Sequence, residues 1–184
     1  MLTKSVTSHV FDIPGAFLHA DLDEDITMIL KGRLAELMVK VAPNLYRKYI
    51  FVDAKGLAIL YVKMQKALYG LLRSALLFYN KLVANLESNG FVLNPYDSCV
   101  ANKVVDGKQM TVCWHVDNLK VSHCDPAQVT IYEEWLSKKY GVAVATHQGK
   151  VHNYLGMIFD FLAKGKVMIT MVEYIKDIIK VLAE

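Results

Sequence analysis

Cys99-Val100-Ala101-Asn102-Lys103-Val104-Val105, then Asp106-Gly107, then Gln109-Met110-Thr111-Val112-Cys113-Trp114-His115, read as two strands around a tight turn. Both flanks are rich in β-branched and aromatic residues, and Asp-Gly tolerates the two positive φ angles of a type I′ hairpin. An antiparallel pair is therefore written into the middle of the chain. Before it, Ser74 to Asn89 has helical spacing, with Ser74 as a candidate cap, Ala75, Tyr79, Leu82 and Leu86 on one face, and Gly90 as a stop. After it, Asp125-Pro126 opens a second helix, and Gln128 completes a capping box. Val129, Tyr132, Leu136 and Tyr140 form that helix's apolar stripe, and Gly141 ends it.

Further out, Val6 to Asp12 is a short apolar run that stops at Pro14-Gly15, as a buried strand does. Ala16–Ala20 suits a helical turn, and Ile26–Leu30 a strand. Between Lys31 and Lys63 the signals are mixed, with Pro43-Asn44 and Lys55-Gly56 marking turns. Asn153–Phe161 and Lys166–Thr170 read as strands meeting at Lys164-Gly165. A last helix is expected to turn Met171, Ile175, Ile178, Ile179 and Leu182 inward. The order strand, helix, hairpin, helix, strands, helix predicts an α+β fold, with helices packed on one face of an antiparallel sheet.

The 184 residues suit one domain, and an apolar fraction of 54% is enough for its core. No apolar run approaches the roughly 18 residues of a membrane span. Met1-Leu2-Thr3-Lys4-Ser5 lacks the apolar stretch of a signal peptide, so an intracellular chain in cytoplasm or nucleus, without a membrane, is expected. Cys99, Cys113 and Cys124 are odd in number and unpaired in spacing, which fits free buried thiols. A zinc reading of Cys113, His115, His123 and Cys124 lacks the usual ligand spacing. The net charge is +3; residues 61–122 hold seven basic side chains against four acidic ones, an excess that permits a nucleic-acid partner without requiring it.

Two carboxylates stand where strands end: Asp12 after Val6–Phe11, and Asp117 after Thr111–Val116. Carboxylates at adjacent strand ends can hold Mg²⁺, which takes few protein ligands and leaves positions for substrate phosphates. Two strand-end aspartates serving only as turn residues fit the same pattern.

The motifs around these residues resemble copia-type retrotransposon reverse transcriptases, which are RNA-directed DNA polymerases. Phe11-Asp12-Ile13-Pro14-Gly15-Ala16-Phe17-Leu18 is similar to the family's first palm motif. Gln65-Lys66-Ala67-Leu68-Tyr69-Gly70-Leu71, continuing into Phe78-Tyr79-Asn80-Lys81-Leu82, is similar to the second. His115-Val116-Asp117-Asn118 stands where the family has Tyr-Val-Asp-Asp, and Tyr154-Leu155-Gly156-Met157 and the Tyr174-Ile175 helix resemble its Tyr-Leu-Gly segment and the helix that follows. The resemblance implies a palm-like nucleotidyltransferase domain over residues 1–184, lacking upstream fingers and downstream ribonuclease H. Asp12 and Asp117 would ligate two Mg²⁺ ions, with Asn118 as the third catalytic position. Gly15 and Ala16 would approach the incoming dNTP, and Phe17 would exclude a 2′-hydroxyl. Tyr69 and Gly70 would flank the nucleotide, and Val116 would touch the primer end; for Phe17 and Tyr69, ordinary core packing is the alternative. The implied partners are an RNA or DNA template with its primer.

Asn118 departs from the family, because an amide brings no negative charge to a cation. A unit charge about 5 Å from a metal at an effective dielectric near 20 is worth roughly 3 kcal/mol, or about a hundredfold in affinity. His115 for tyrosine, and Arg73-Ser74-Ala75 for the usual Gln-Ala-Pro, depart as well. Three functions remain open: a degenerate palm with little or no activity, a domesticated nucleic-acid-binding or scaffold domain, and a polymerase subunit completed by another chain. A palm without fingers should expose Phe17, Tyr69 and Leu71 and self-associate through that face.

Overall fold

The computed structural model describes residues 6–163 and 166–182. In chain order the elements are β1 (Thr7–Asp12), β2 (Thr27–Lys31), α1 (Arg33–Val41), α2 (Pro43–Tyr46), β3 (Phe51–Val52), β4 (Ala58–Lys63) and α3 (Ser74–Ser88). They continue with β5 (Val92–Asn94), β6 (Asp97–Val105), β7 (Lys108–His115), β8 (Asn118–His123), α4 (Pro126–Tyr140), β9 (Ala145–His147), β10 (Val151–Tyr154), β11 (Met157–Asp160), β12 (Met168–Thr170) and α5 (Val172–Leu182). The architecture is α+β, and the described strand pairings are antiparallel. The chain divides into two compact units, one made of residues up to Ala16 and from Phe78 onward, the other of Phe17–Leu77.

In the first unit a six-stranded sheet runs β5-β6-β7-β8-β1-β9. Register decides its two faces, because directly opposed residues in an antiparallel ladder point the same way. Phe11 opposes Leu119, which opposes Trp114; Val121 opposes Val112, which opposes Ala101. All six are buried, and each fully buried leucine or phenylalanine contributes about 2 kcal/mol. Helix α4 packs on this face against β1 and β8, with the Tyr132 ring 6.0 Å from Phe11. From α3, Phe78 lies 6.2 Å from the Tyr140 ring, and Asn85 Nδ2 donates to the Tyr140 hydroxyl at 3.1 Å.

The opposite face carries Ser8, Asp12, Asn118, Lys120 and Ser122, alternating with the core residues. Part of it is covered by the small sheet β10-β11-β12. Lys120 Nζ lies 5.3 Å from the centre of the Phe159 ring and 5.6 Å from that of Phe161, a cation–π arrangement. The Tyr154 hydroxyl donates to the Asn118 carbonyl at 3.4 Å.

The second unit holds the sheet β2-β4-β3, with Leu60 and Ala35 fully buried. The Lys55-Gly56 turn is present, because Asp53 Oδ1 accepts from the backbone N–H of Lys55 and of Leu57. Arg73 pairs with Asp23 and Glu24.

Several expectations are corrected. Pro43-Asn44 begins helix α2, since proline at the first helical position loses no hydrogen bond. Ser74 does not cap α3: its hydroxyl donates to the Leu68 carbonyl at 2.6 Å and accepts from the Leu68 N–H. The buried α3 stripe is Phe78, Leu82 and Leu86 with Asn85, while Ala75 is exposed and Tyr79 half-buried. Asp125 caps α4 through the Ala127 N–H, but Gln128 turns away to Asp106, leaving half of the capping box unmade. The single strand expected over Asn153–Phe161 is two, β10 and β11, because Leu155-Gly156 makes a turn. The three cysteines are free but half-buried. Helix α5 buries none of its residues. The Lys164-Gly165 turn lies outside the described residues.

Candidate active site

β1 and β8 end together. Asp12 is the cross-strand partner of Asn118, and His115 on β7 opposes Asn118 from the other side. Asp117 therefore occupies the second position of a two-residue turn, Val116-Asp117, instead of the strand tip. The turn is fixed to β1's end, where the Ile13 N–H donates to the Asp117 carbonyl at 3.3 Å. Asn118 Nδ2 donates to Asp117 Oδ1 at 3.2 Å. Three expected catalytic positions, Asp12, Asp117 and Asn118, thus meet at one end of the sheet.

Val116 adds a second signal. Among the described residues only Asp106, Val116 and Leu155 combine a side chain with positive φ, and Val116 stands at +57°. A β-branched residue there is an outlier, because its Cβ crowds the following carbonyl. Positive φ at the first turn residue alone is the II′ pattern, which ordinarily calls for glycine there. Such strain costs of order 1–3 kcal/mol, persists only where the surroundings enforce it, and clusters at functional sites. Here the enforcing surroundings are the β7–β8 ladder and the bond from Ile13.

The electrostatics agree with the geometry. Asp12 binds its proton more tightly than an ordinary aspartate, first through lost hydration and second through repulsion from Asp117. A carboxylate whose ionisation a neighbouring carboxylate opposes marks a place where a cation is favoured. Among the described residues, no group of three or more His, Cys, Asp or Glu side chains could hold a metal ion. The set of two carboxylates and an amide fits Mg²⁺, which binds through one or two carboxylates and takes its remaining ligands from water and phosphate.

The expected nucleotide residues divide between the units. Gly15, Ala16 and Val116 belong with Asp12; Phe17, Tyr69 and Gly70 belong to the second unit. Gly15 follows Pro14 with φ +63°, and Gly70 has φ +96°, both conformations open to glycine. The Phe17 and Tyr69 rings are 4.2 Å apart. Phe17 is 7% exposed, against the expectation of an uncovered face; Tyr69 is 55% exposed, and Leu71 is half-buried. Two participants were not anticipated: Ile13, whose N–H holds the turn, and Tyr154, whose hydroxyl holds Asn118. The Tyr154-Leu155-Gly156 segment was the only signal for the second.

No family model matches the chain, and no curated protein matches it. Solved structures similar to it include apo telomerase from Candida tropicalis, at 12% identity over 90% of this chain and 33% of that one, with TM-score 0.48. The same telomerase truncated from its C-terminal domain matches at 12% identity over 89% of this chain and 35% of that one, with TM-score 0.47. Telomerase from Candida albicans in complex with a TWJ fragment of telomeric RNA matches at 12% identity over 85% and 30%, with TM-score 0.44. The chain spans about a third of the length of each. At these scores the likeness carries no argument about function. Among the described residues no helix is long and apolar enough to cross a membrane.

Proposed function

We propose that this chain is the palm part of a copia-type retrotransposon reverse transcriptase with a weakened cation site. One observation carries the reading: Asp12 at the end of β1, Asn118 at the start of β8 and Asp117 in the turn before it meet beside a valine held at positive φ. The order of the motifs along the chain supports it: Phe11–Leu18, His115–Asn118 and Tyr154–Met157 each contribute a residue to this end of the sheet, and Phe17 pairs with Tyr69. Asp12 and Asp117 would hold Mg²⁺, and Gly15 and Ala16 would leave room for a triphosphate beside it. When bound, the cation supplies Lewis-acid stabilisation of negative charge on phosphate oxygens. Asn118 donates its amide to Asp117, so it orients one carboxylate while withholding the charge of a second. The chain's partners in this reading are a primer–template and dNTP, and its polymerase activity is weak or lost.

Calorimetric titration of Mg²⁺ and Mn²⁺ tests the proposal. Asn118→Asp is expected to tighten binding by up to about a hundredfold. Asp117→Ala is expected to abolish it in either background. Equal and negligible affinity in all three proteins would reject the cation site and favour a retained fold with a scaffold or binding role.

A further inference from the structure

One face of the sheet β2-β4-β3 in the second unit is both aromatic and basic. Opposed residues of an antiparallel ladder share a face, so the register sets Thr27 beside Lys63, Ile29 beside Tyr61, and Lys31 beside Ile59, with Phe51 on the far side of Ile59. Leu30 and Leu60 point to the other side of the sheet, where Leu60 is fully buried. On the first side the Phe51 and Tyr61 rings lie 5.8 Å apart at 16° to each other, so their planes are nearly parallel. Phe51 is 46% exposed and Tyr61 52%, although sheets normally bury such rings. Just before β3, Lys48 Nζ lies 4.8 Å from the centre of the exposed Tyr49 ring, which pairs a further cation with a further aromatic.

Charge separates this unit from the rest of the chain. Residues 17–77 hold nine basic side chains against six acidic ones, which accounts for the whole net charge of +3. Four of the acidic residues, Asp21, Asp23, Glu24 and Asp25, are paired with Lys63, Lys66 and Arg73. Asp53 is occupied by its own turn, accepting from the Lys55 and Leu57 N–H groups. Lys31, Arg47 and Lys48 make no ion pair among the described residues.

The two features together select the partner. A second copy would bring like charges together, and an acidic peptide would satisfy the lysines while leaving the flat rings unused. A single nucleic-acid strand offers phosphates to the first and unpaired bases to the second, whereas a duplex keeps its base faces stacked on one another. We propose that this face binds single-stranded nucleic acid, stacking bases on Tyr61 and Phe51 and drawing phosphates to Lys31, Arg47 and Lys48. The inference rests on the palm reading for its class of partner and on none of that reading's site residues, so it needs no cation.

Fluorescence anisotropy of a labelled oligothymidylate about 12 nucleotides long tests it. The titrations are made in EDTA, so that a failed cation site leaves them untouched. The wild type is expected to bind at low salt, and a duplex of equal length to compete about tenfold less well. Tyr61→Ala is expected to weaken binding about tenfold, and Tyr61→Phe, which keeps the ring, to bind as the wild type does. Lys31→Gln should lower the slope of log Kd against log salt by about 0.7. Tyr96→Ala, an aromatic 97% exposed in the first unit, is the control and should change nothing. Binding that Tyr61→Ala leaves unchanged would reduce the face to a charge patch and overturn the proposal. Equal loss in Tyr61→Phe and Tyr61→Ala would overturn it too, because the ring would then not be the binding element, and so would a wild type that binds no oligothymidylate at low salt.

Discussion

Two turns of the same length close successive hairpins of one sheet, and they are built on opposite terms. Asp106-Gly107 joins β6 to β7 with φ of +49° and +71°, using residues that accept such angles. Val116-Asp117 joins β7 to β8 and places a β-branched side chain at +57°. The first turn lowers the cost of folding. The second raises it, and holds Asp117 and Asn118 beside Asp12 in return. Local chemistry that agrees with the fold marks scaffold, and local chemistry that conflicts with it marks the candidate site.

The contrast can be broken first at the strand that enforces it. Leu119 is fully buried, opposing both Phe11 and Trp114. Leu119→Ala should cost about 3 kcal/mol in chemical denaturation and release the strained turn, seen as faster exchange of the Ile13 amide. Exchanging the residue types of the two turns comes next. A Cβ added at Gly107 meets no atom within 4 Å, so Gly107→Val is expected to cost mainly backbone strain, about 1–2 kcal/mol. Val116→Gly should act in the other direction and stabilise the fold by about 1 kcal/mol, the relieved strain less the extra chain entropy of glycine. It should also loosen cation binding, because Asp117 would no longer be held in place. Denaturant midpoints with matched metal titrations check both; a destabilised Val116→Gly protein would mean that the valine is not strained.

How much was legible follows the same division. The Asp106-Gly107 hairpin, β1 and the α4 stripe of Val129, Tyr132, Leu136 and Tyr140 could be read because periodicity and turn residues agree there. Strand β8 was not foreseen, since Val116-Asp117 does not look like a turn, although Leu119, Val121 and His123 alternate as a half-buried strand should. Leu155-Gly156 was hidden in the same way by leucine at φ +54°. The inward face expected for α5 failed for another reason: periodicity shows that a helix has an apolar side, and cannot say which molecule covers it. At the site, the types and order of Asp12, Asp117 and Asn118 were readable, whereas their meeting depends on register.

A smaller effect concerns pH. His9 and His152 are buried, and loss of water lowers the pKa of both below the ordinary value near 6.5; Lys120, His147 and His9 lower His152 further, while Glu133 opposes the shift at His9. The unfolded chain then binds more protons than the folded one below about pH 6.5. Their contribution to stability is present above that pH and is lost as pH falls through the folded-state values. Denaturant midpoints between pH 7.5 and pH 5 should fall for the wild type, and should fall less for His152→Phe.

The most direct test is the titration of the Asp12 carboxyl by carbon-detected NMR. The account predicts a pKa above that of an ordinary aspartate, lowered both by Asp117→Asn and by saturating Mg²⁺. An Asp12 that titrates normally and responds to neither would contradict it, because the two carboxylates would then share neither a field nor a cation.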